Sequence, residues 1–283
     1  MQKTKRPNLN QKRTNNFSYN NKNKPKSQSF ERSNNNQNNI WLFGKHPSFS
    51  ALQKKRRKIF QILVTKNTSV ELEKLLLEQN LLNLKSLVKL VDGAQIEFLI
   101  GKDQLHQGIA VECSKLPIKN QNDLLEELSS LEKSQLPTLL LLDQLSDPQN
   151  IGAIIRSAIS FGVTKIIFCE HSAPRESAVM ARSSAGTIEM ADLIVVTNFS
   201  NLIEKLKKIG YWCIGLEGNS NTFINEIKTY ETVALIVGSE GDGIRELVKK
   251  NCDVLAKIDI DKNVESLNAS VAASIALYEL SRR

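Results

Sequence analysis

The strongest constraint on the fold is a set of uninterrupted apolar runs in the C-terminal half of the chain. "TLLLLD" at 138–143 and "TVALIVG" at 232–238 show no alternation of polar and apolar residues. Strands of this kind are expected to be covered on both faces. Segments with helical spacing of apolar residues separate them. This alternation predicts a parallel α/β sheet.

The pattern predicts six strands and five helices after residue 137. The strands are expected at 138–143, 164–169, 192–197, 211–216, 231–238 and 254–260, and the helices at 150–161, 175–185, 200–208, 244–250 and 267–280. Ligands of parallel sheets lie beyond the carboxyl ends of the strands. A binding site is therefore expected in the loops at 143–150, 216–221, 238–243 and 259–266.

Composition divides the chain into a tail, two domains and a linker. A front domain over 41–113 reads as a small α/β unit, a polar linker with one helical stretch follows at 114–136, and a C-terminal domain covers 137–283. Within the front domain, strands are predicted at 56–67, 95–101 and 107–113, and helices at 69–80 and 84–93.

The tail at 1–40 carries the whole net charge of the chain. It holds nine Lys or Arg and one acid, and the chain as a whole has a net charge of +8. Its Asn, Gln and Ser content cannot offset the entropy of ordering, so disorder is expected. Contact with RNA phosphates and a merely solubilising role both remain open. A mitochondrial transit peptide is a third option, although a clear amphipathic apolar face is missing.

Several function classes are disfavoured by what the sequence lacks. No window has the 18 or so apolar residues that a membrane span needs, so no membrane partner is expected. His46, His106 and His171 have no ligand spacing, and no metal is expected. Widely spaced cysteines without a CxxC pair favour reduced thiols and a cytoplasmic location. They are Cys113, Cys169, Cys213 and Cys252.

The first stretch with chemical interest is "DPQNIGAIIRSA" at 147–158. Its isoleucines and alanines form one apolar stripe, and Arg156 lies more than a quarter turn away from that stripe. Arg156 is therefore expected to project toward the mouth of the sheet. Asn150 is placed to cap the helix or to reach a ligand. An ordinary cap followed by an exposed arginine is the alternative.

Two further stretches fall at the same edge of the predicted sheet. In "GSEGDG" at 238–243, glycines permit a tight turn and close approach of backbone to a ligand, with Glu240 inside the turn. The spacing fits neither the dinucleotide fingerprint nor the Walker A loop. In "SLNASVA" at 266–272, Ser266 and Asn268 open the last helix. These two residues either cap that helix or point into a cleft.

Taken in order, the three stretches resemble the motifs of the SpoU (TrmH) family of RNA ribose 2′-O-methyltransferases, within the SPOUT superfamily. The family patterns read roughly D-P-x-N-x-G-x-x-x-R-S-A, G-x-E-G-x-G and S-L-N-x-S-x-A. "FGKHPSFSAL" at 43–52 is similar to the opening of the substrate-binding domain in the subgroup that methylates guanosine in large-subunit ribosomal RNA. The resemblance therefore implies ribosomal RNA as substrate, with transfer RNA as the runner-up.

The resemblance also implies a fold, a cofactor and an assembly. Family members contain a deep trefoil knot and act as homodimers whose active site is completed across the interface. They hold S-adenosylmethionine mainly through backbone groups in the knotted region. By motif position the cofactor contacts would be Leu216, Gly218, Gly238, Gly241, Ile258 and Leu267.

Five residues match the catalytic positions of the family, and the resemblance assigns activation of the ribose hydroxyl to the motif-one arginine. A guanidinium has a pKa above about 12 and no free acceptor. Gripping a substrate phosphate and stabilising the forming alkoxide is the role that suits it. The five are Asn150, Arg156, Glu240, Ser266 and Asn268.

The chain departs from the family before motif three. Where members often have Ile-Pro-Met-x-Gly, this sequence has "IDIDK", with Asp259 at the proline and Lys262 at the glycine. Two competing readings follow. A nicotinamide-dependent dehydrogenase would need G-x-G-x-x-G after its first strand, which is missing. A non-catalytic RNA-binding homologue would have no need of all five polar residues.

Overall fold

The front domain is built on a four-stranded sheet. A computed structural model of the chain describes residues 38–227 and 232–282, so the predicted tail lies outside the described residues up to position 37. The sheet order is β1-β4-β2-β3, with β4 antiparallel to β1 and β2, and β3 parallel to β2. Its elements are β1 (Asn39–Phe43), α1 (Lys45–Lys54), β2 (Ile59–Val64), α2 (Lys66–Glu78), β3 (Val88–Leu90), α3 (Gly93–Ile100) and β4 (Ile109–Ser114).

Two predictions for the front domain are wrong. The helix predicted at 84–93 is a 3-10 turn over Leu82–Leu87 followed by β3, and the strand predicted at 95–101 is α3. A capping box explains the second error. Asp92 Oδ1 accepts from Gln95 N at 2.8 Å, and Gln95 Oε1 accepts from Asp92 N at 2.9 Å. These bonds satisfy free amides at a helix start and favour a helix for an apolar run too short to read by periodicity.

An eight-stranded sheet forms the C-terminal domain, in the order β10-β12-β9-β11-β6-β7-β8-β5. Every pairing in it is parallel, which confirms the predicted parallel α/β architecture. The knotted path stays a prediction. The elements are β5 (Ile118–Asn120), α4 (Gln121–Ser129), β6 (Leu139–Leu142), α5 (Pro148–Ser160), β7 (Lys165–Cys169), α6 (Ala178–Ser183), β8 (Asp192–Val196), α7 (Phe199–Ile209), β9 (Trp212–Leu216), β10 (Thr222–Phe223), β11 (Val233–Val237), α8 (Glu246–Asn251), β12 (Val254–Lys257) and α9 (Ala269–Ser281).

The segment predicted as a linker is part of this sheet instead. β5 pairs in parallel with β8 at the sheet edge. On α4, Leu124 and Leu128 are fully buried and pack in one cluster with Phe199 of α7. Their i,i+4 spacing gives α4 an apolar face that must be covered. Only residues 115–117 connect the two sheets.

Three of the four cysteines are buried and all four are free thiols, as predicted. Burial raises the pKa of Cys113, Cys213 and Cys252 to about 12. These thiols are therefore unreactive near neutral pH. Within the two described ranges, no helix combines the length and apolarity that crossing a membrane would require.

Helix α5, which carries the first motif, is held against α6 by a close backbone approach. A Cβ added at Gly152 would lie 2.6 Å from Met180 O and 2.7 Å from Ser183 Cβ. A side chain at this position would force the helices apart. Glycine therefore sets the distance between α5 and α6, and with it the place of α5 on the sheet.

We expect Gly152→Ala to lower the free energy of unfolding by about 1–3 kcal/mol, because the overlap falls on backbone that cannot move freely. Urea denaturation measures the change. Gly218→Ala is the matched control: no atom lies within 4 Å of its added Cβ. The control should stay within about 0.5 kcal/mol. Equal losses in the two variants would refute the close-approach argument.

Candidate active site

An ion pair with a buried carboxylate lies at the carboxyl edge of the sheet. Asp143 directly follows β6 and is fully buried. Its carboxylate accepts from Arg245 N at 3.0 Å and Arg245 Nε at 2.9 Å, and the Asp143 amide donates to Val237 O at 2.8 Å. The hydrogen bond to Asp143 raises the pKa of Arg245. The end of β6 is thereby tied to both ends of the loop that leaves β11.

That loop is the glycine turn. Ser239 and Gly243 exchange two backbone hydrogen bonds of 3.1 Å, which close it. A Cβ on Gly238 would lie 2.1 Å from the carbonyl carbon of Gly243, and Gly241 and Gly243 have φ angles of +90° and +67°. Gly238 excludes every side chain because there is no space for one. Gly241 and Gly243 disfavour a side chain because residues other than glycine rarely adopt positive φ angles.

The turn forms one wall of a cavity of about 430 Å³ beyond the carboxyl ends of β9, β11 and β12. Glycines and apolar residues line it together with several polar and charged side chains. All six residues that the resemblance assigned to cofactor contact line it: Leu216, Gly218, Gly238, Gly241, Ile258 and Leu267.

The cavity lining has an excess of negative charge. Glu217, Glu240 and Glu265 line it, whereas Lys257 is the single basic residue among the described residues of the lining. Glu217 is paired with Lys249, whose Nζ lies 2.5 Å from its carboxylate. Two carboxylates therefore face one ammonium group, and a ligand with net positive charge is favoured.

Glu240 joins the starts of two helices at the rim of the cavity. Its Oε1 accepts from Asn150 Nδ2 of α5 at 2.9 Å and from Ala269 N of α9 at 3.3 Å. It also accepts from Asn268 Nδ2, which in turn donates to Asn150 Oδ1 at 3.1 Å. Three residues from three separate motifs, up to 118 positions apart in sequence, are thus in direct contact.

The predicted capping role of Asn150 is wrong. The cap of α5 is Asp147, whose carboxylate accepts from Gln149 N at 3.1 Å and Asn150 N at 3.3 Å. Pro148 then occupies the first helical position, where a missing amide hydrogen costs nothing. The side chain of Asn150 is left free to reach Glu240.

Asn268 caps the last helix, which is one of the two roles left open for it, and it also contacts Asn150 and Glu240. Its Oδ1 accepts from Ser270 N at 2.9 Å and Val271 N at 3.4 Å. Its Nδ2 points the other way, to Asn150 and Glu240. Asn268 can therefore cap α9 through its Oδ1 and contact Asn150 and Glu240 through its Nδ2 at the same time.

The remaining two candidate catalytic residues are Ser266 and Arg156. Ser266 is exposed and lines the same cavity as Glu240. Arg156 is exposed in the second half of α5, and its guanidinium has no hydrogen bond or salt bridge to any described residue. At 1.5 Å and 100° per residue, Arg156 lies about 9 Å along the helix from Asn150 and roughly 120° away around it. The expected projection of Arg156 toward the mouth of the sheet stays a prediction, although α5 begins at Pro148, two residues earlier than predicted.

Sequence reasoning missed the groups that support the site. Asp143 was visible only as the end of an apolar run, and Arg245 gave no signal because their pairing spans 102 positions. The Asp-Pro pair before α5 does signal a cap followed by a first-turn proline. It could have identified Asp147.

The two departures from the family pattern do not enter the cavity. Asp259 and Lys262 are exposed, whereas their neighbours Ile258 and Ile260 line the wall. Backbone and apolar groups therefore form this wall, as a ligand held through main-chain contacts requires. Together with the wall at Gly238, which has no side chain, this lining fits a cofactor that is bound mainly through main-chain contacts.

Two family models match this chain. The SpoU rRNA Methylase family model matches residues 137–278, which is half of the chain. The model for RNA 2′-O ribose methyltransferase substrate binding matches residues 41–118.

Individual proteins show the same relationship. The 23S rRNA (guanosine-2′-O-)-methyltransferase RlmB of Coxiella burnetii is 36% identical over 244 residues, covering 86% of this chain and 95% of that protein. The crystal structure of the SpoU methyltransferase AviRb from Streptomyces viridochromogenes with AdoMet superposes with a TM-score of 0.69 at 19% identity, over 87% and 90% of the two chains. An AdoMet-bound rRNA methyltransferase from Sinorhizobium meliloti gives 0.68 at 20% identity, over 87% and 88%.

The two family models define a class of protein: a methylase domain, here built on the parallel α/β sheet, preceded by a separate RNA substrate-binding domain. Within that class, the sequence matches decide the family. This chain belongs to the SpoU rRNA methylase family. It is an RNA 2′-O-methyltransferase that uses S-adenosylmethionine.

We expect Gly238→Ala to raise the dissociation constant for S-adenosylmethionine at least about tenfold, or about 1.4 kcal/mol. The added carbon cannot fit beside Gly243, so the cavity wall must move. Calorimetric titration measures this, with circular dichroism to check folding. Asp242→Ala, an exposed position in the same turn, should change the constant by less than about twofold. Unaltered affinity in Gly238→Ala would contradict the assignment of this cavity.

Proposed function

We propose that this enzyme methylates the ribose 2′-hydroxyl of a guanosine in large-subunit ribosomal RNA. The Coxiella burnetii relative has that activity by name and aligns over most of both chains. The observation that carries the proposal is the contact of Asn150, Glu240 and Asn268 at the rim of the cavity. A polar cluster there is where a sugar hydroxyl would meet a donor bound inside.

S-adenosylmethionine supplies an electrophilic methyl group on a positively charged sulfur. The excess of carboxylates around the cavity favours a ligand of that charge. The chain must then align the hydroxyl and ease the loss of its proton. Because Gly238 has no side chain, the glycine turn leaves space for S-adenosylmethionine to lie against its main chain.

Glu240 is proposed to orient the ribose. The three donors from Asn150, Asn268 and Ala269 all bind its Oε1. Its Oε2 accepts from no described residue and is left to receive a hydrogen bond from the sugar hydroxyl. Ser266, exposed on the same cavity wall, is proposed to contact the substrate beside it.

Arg156 is proposed to act in the site of a second copy, which makes the functional unit a homodimer. Its position on α5 directs its side chain away from the cluster around Asn150. Val271 and Tyr278 of the neighbouring helix α9 are 45% and 49% exposed. Such a surface suits a self-complementary two-fold interface.

The same proposal includes the domain roles and the compartment. The front domain, taken as 41–113, binds RNA, and the domain from 137 to 283 carries out the transfer. Ribosomal RNA processing in the cytoplasm follows from that substrate and from free, unreactive thiols.

Arg156→Lys is expected to lose most activity while keeping S-adenosylmethionine affinity. Lysine keeps the charge but loses the planar fork that grips phosphate and stabilises a forming alkoxide. A loss of at least about 100-fold in kcat is expected, on the scale of removing one oxyanion donor. An undiminished rate would refute this role.

Mixing two inactive variants tests whether Arg156 acts across the interface. Equal amounts of Arg156→Lys and Glu240→Ala, co-refolded, should recover about a quarter of wild-type activity, because half the dimers would hold one complete site. If Arg156 acts within its own chain, no site is complete and no activity returns. Sedimentation measures the fraction of dimer in each sample.

Mapping 2′-O-methylation across total RNA, with and without the gene, tests the substrate. The expected result is the loss of one methylated guanosine in large-subunit ribosomal RNA. Loss in transfer RNA would overturn the substrate assignment and keep the chemistry. No lost methylation, together with no binding of S-adenosylmethionine, would identify a non-catalytic homologue.

A further inference from the structure

A buried ionic cluster connects the front domain to the C-terminal domain. Arg57, just before β2, is fully buried at its side chain, as is Glu189, and Glu176 is 6% exposed. Arg57 Nη2 lies 2.5 Å from Glu176 and 2.6 Å from Glu189, and its Nε donates to Glu189 at 2.7 Å. Its Nη1 donates to Ser114 O at 2.9 Å. These three side chains are called the Arg57 clamp below.

The clamp is an ionic structure that tolerates no missing partner. Burial alone would lower the pKa of Arg57, but the hydrogen bonds and charges of Glu189 and Glu176 raise it. Burial raises the pKa of Glu189. Removing one partner of a buried pair leaves an uncompensated charge, which is strongly unfavourable. The two domains therefore cannot separate at this point without exposing all three groups to water.

Other contacts hold the same interface. Arg56 Nη1 donates to Ala191 O at 2.6 Å, and Ser50 Oγ donates to Gly186 O at 2.8 Å. The short connection between the sheets is itself bound, because Leu116 N donates to the Glu176 carboxylate at 2.8 Å. One hydrophobic cluster also runs through both domains and includes Leu42, Leu52, Met180 and Ile188.

The interface leads directly to the catalytic helix. Glu176 precedes α6, and Glu189 lies in a 3-10 turn that follows it. Helix α6 contacts α5 at the close approach of Gly152. The chain of contacts thus runs from Arg57 through α6 to the helix that carries Asn150.

We propose that Arg57 is a positioning residue: its clamp holds the RNA-binding domain at one fixed distance from the methyl-transfer site and so selects the nucleotide that is methylated. This inference rests on the proposed function, in which the front domain binds RNA. RNA held by a rigid body presents one sugar to the cavity. RNA held by a loosely attached domain would present several, each for less of the time.

The test compares two ways of loosening the interface. The triple variant Arg57→Gln, Glu176→Gln, Glu189→Gln removes the charges and leaves none unpaired. Ser50→Tyr keeps the clamp and inserts bulk where Ser50 meets Gly186. Lys165→Gln is the matched control, because Lys165 is buried and pairs with Glu127 and Asp192 inside the C-terminal domain.

Three quantities are measured in each folded variant. Spin labels at Lys74→Cys and Lys208→Cys, both exposed, report the distance between the domains in a Cys252→Ser background, because Cys252 is the one native thiol that is not buried. Calorimetry gives the S-adenosylmethionine affinity, and methylation mapping on RNA gives the rate and the modified position.

The triple variant and Ser50→Tyr should both broaden the distance distribution and keep S-adenosylmethionine affinity within about twofold. Their kcat/KM for RNA should fall about 100-fold, with methylation spread to neighbouring nucleotides. Lys165→Gln should lose stability only. Arg57→Lys, which keeps charge without the fork, should give an intermediate distribution.

Two results would overturn the proposal. One is an unchanged distance distribution in the triple variant; the other is a broadened distribution with wild-type rate and position of methylation. Failure of the proposed function looks different. In that case the wild type itself neither binds S-adenosylmethionine nor methylates RNA, whereas the distances still report on the clamp.

Discussion

The site depends on one ion pair, in which the buried carboxylate of Asp143 binds the partly exposed Arg245. A carboxylate removed from water must be paired, and here it binds both the guanidinium and a backbone amide just after the glycine turn. The turn is therefore held at the end of β6 and β11. Glu240 projects from that turn, and the starts of α5 and α9 reach it through Asn150 and Asn268. The pair thus supports the turn at which the three motifs meet.

The site also shows how a helix cap decides which side chains remain available. Asp147 satisfies the free amides of α5, so the amide of Asn150 can bind Glu240. Asn268 caps α9 with its oxygen and contacts the site with its nitrogen. Polar residues at helix starts are ordinarily explained by capping alone. Here Asp147 caps α5 and leaves Asn150 free, whereas Asn268 serves both roles, and a parallel sheet places both helix starts at the same edge.

The two sheets are joined more tightly than their separate sequence patterns indicate. A connection of three residues, a shared hydrophobic cluster and the Arg57 clamp leave little room for relative movement. Burying one arginine with two glutamates adds little to stability in itself, because desolvation offsets much of the attraction. In the proposal above its effect is on geometry, because docking brings the three charges together. That is the kind of constraint a domain needs if it must deliver RNA to a fixed point.

The sequence by itself determined the parallel α/β fold, the positions of nearly all strands and helices after residue 137, and the motif residues around the cavity. Apolar runs, helical spacing and glycine-rich turns are local, so they can be read without the fold. It could not determine that 118–120 joins the sheet, that α3 is a helix, or that Asp147 rather than Asn150 caps α5. Nor could it pair Asp143 with Arg245 or Arg57 with Glu189, which are 102 and 132 positions apart. Tertiary structure decided these, because a buried charge or a short apolar run takes its partner from whatever the chain brings beside it.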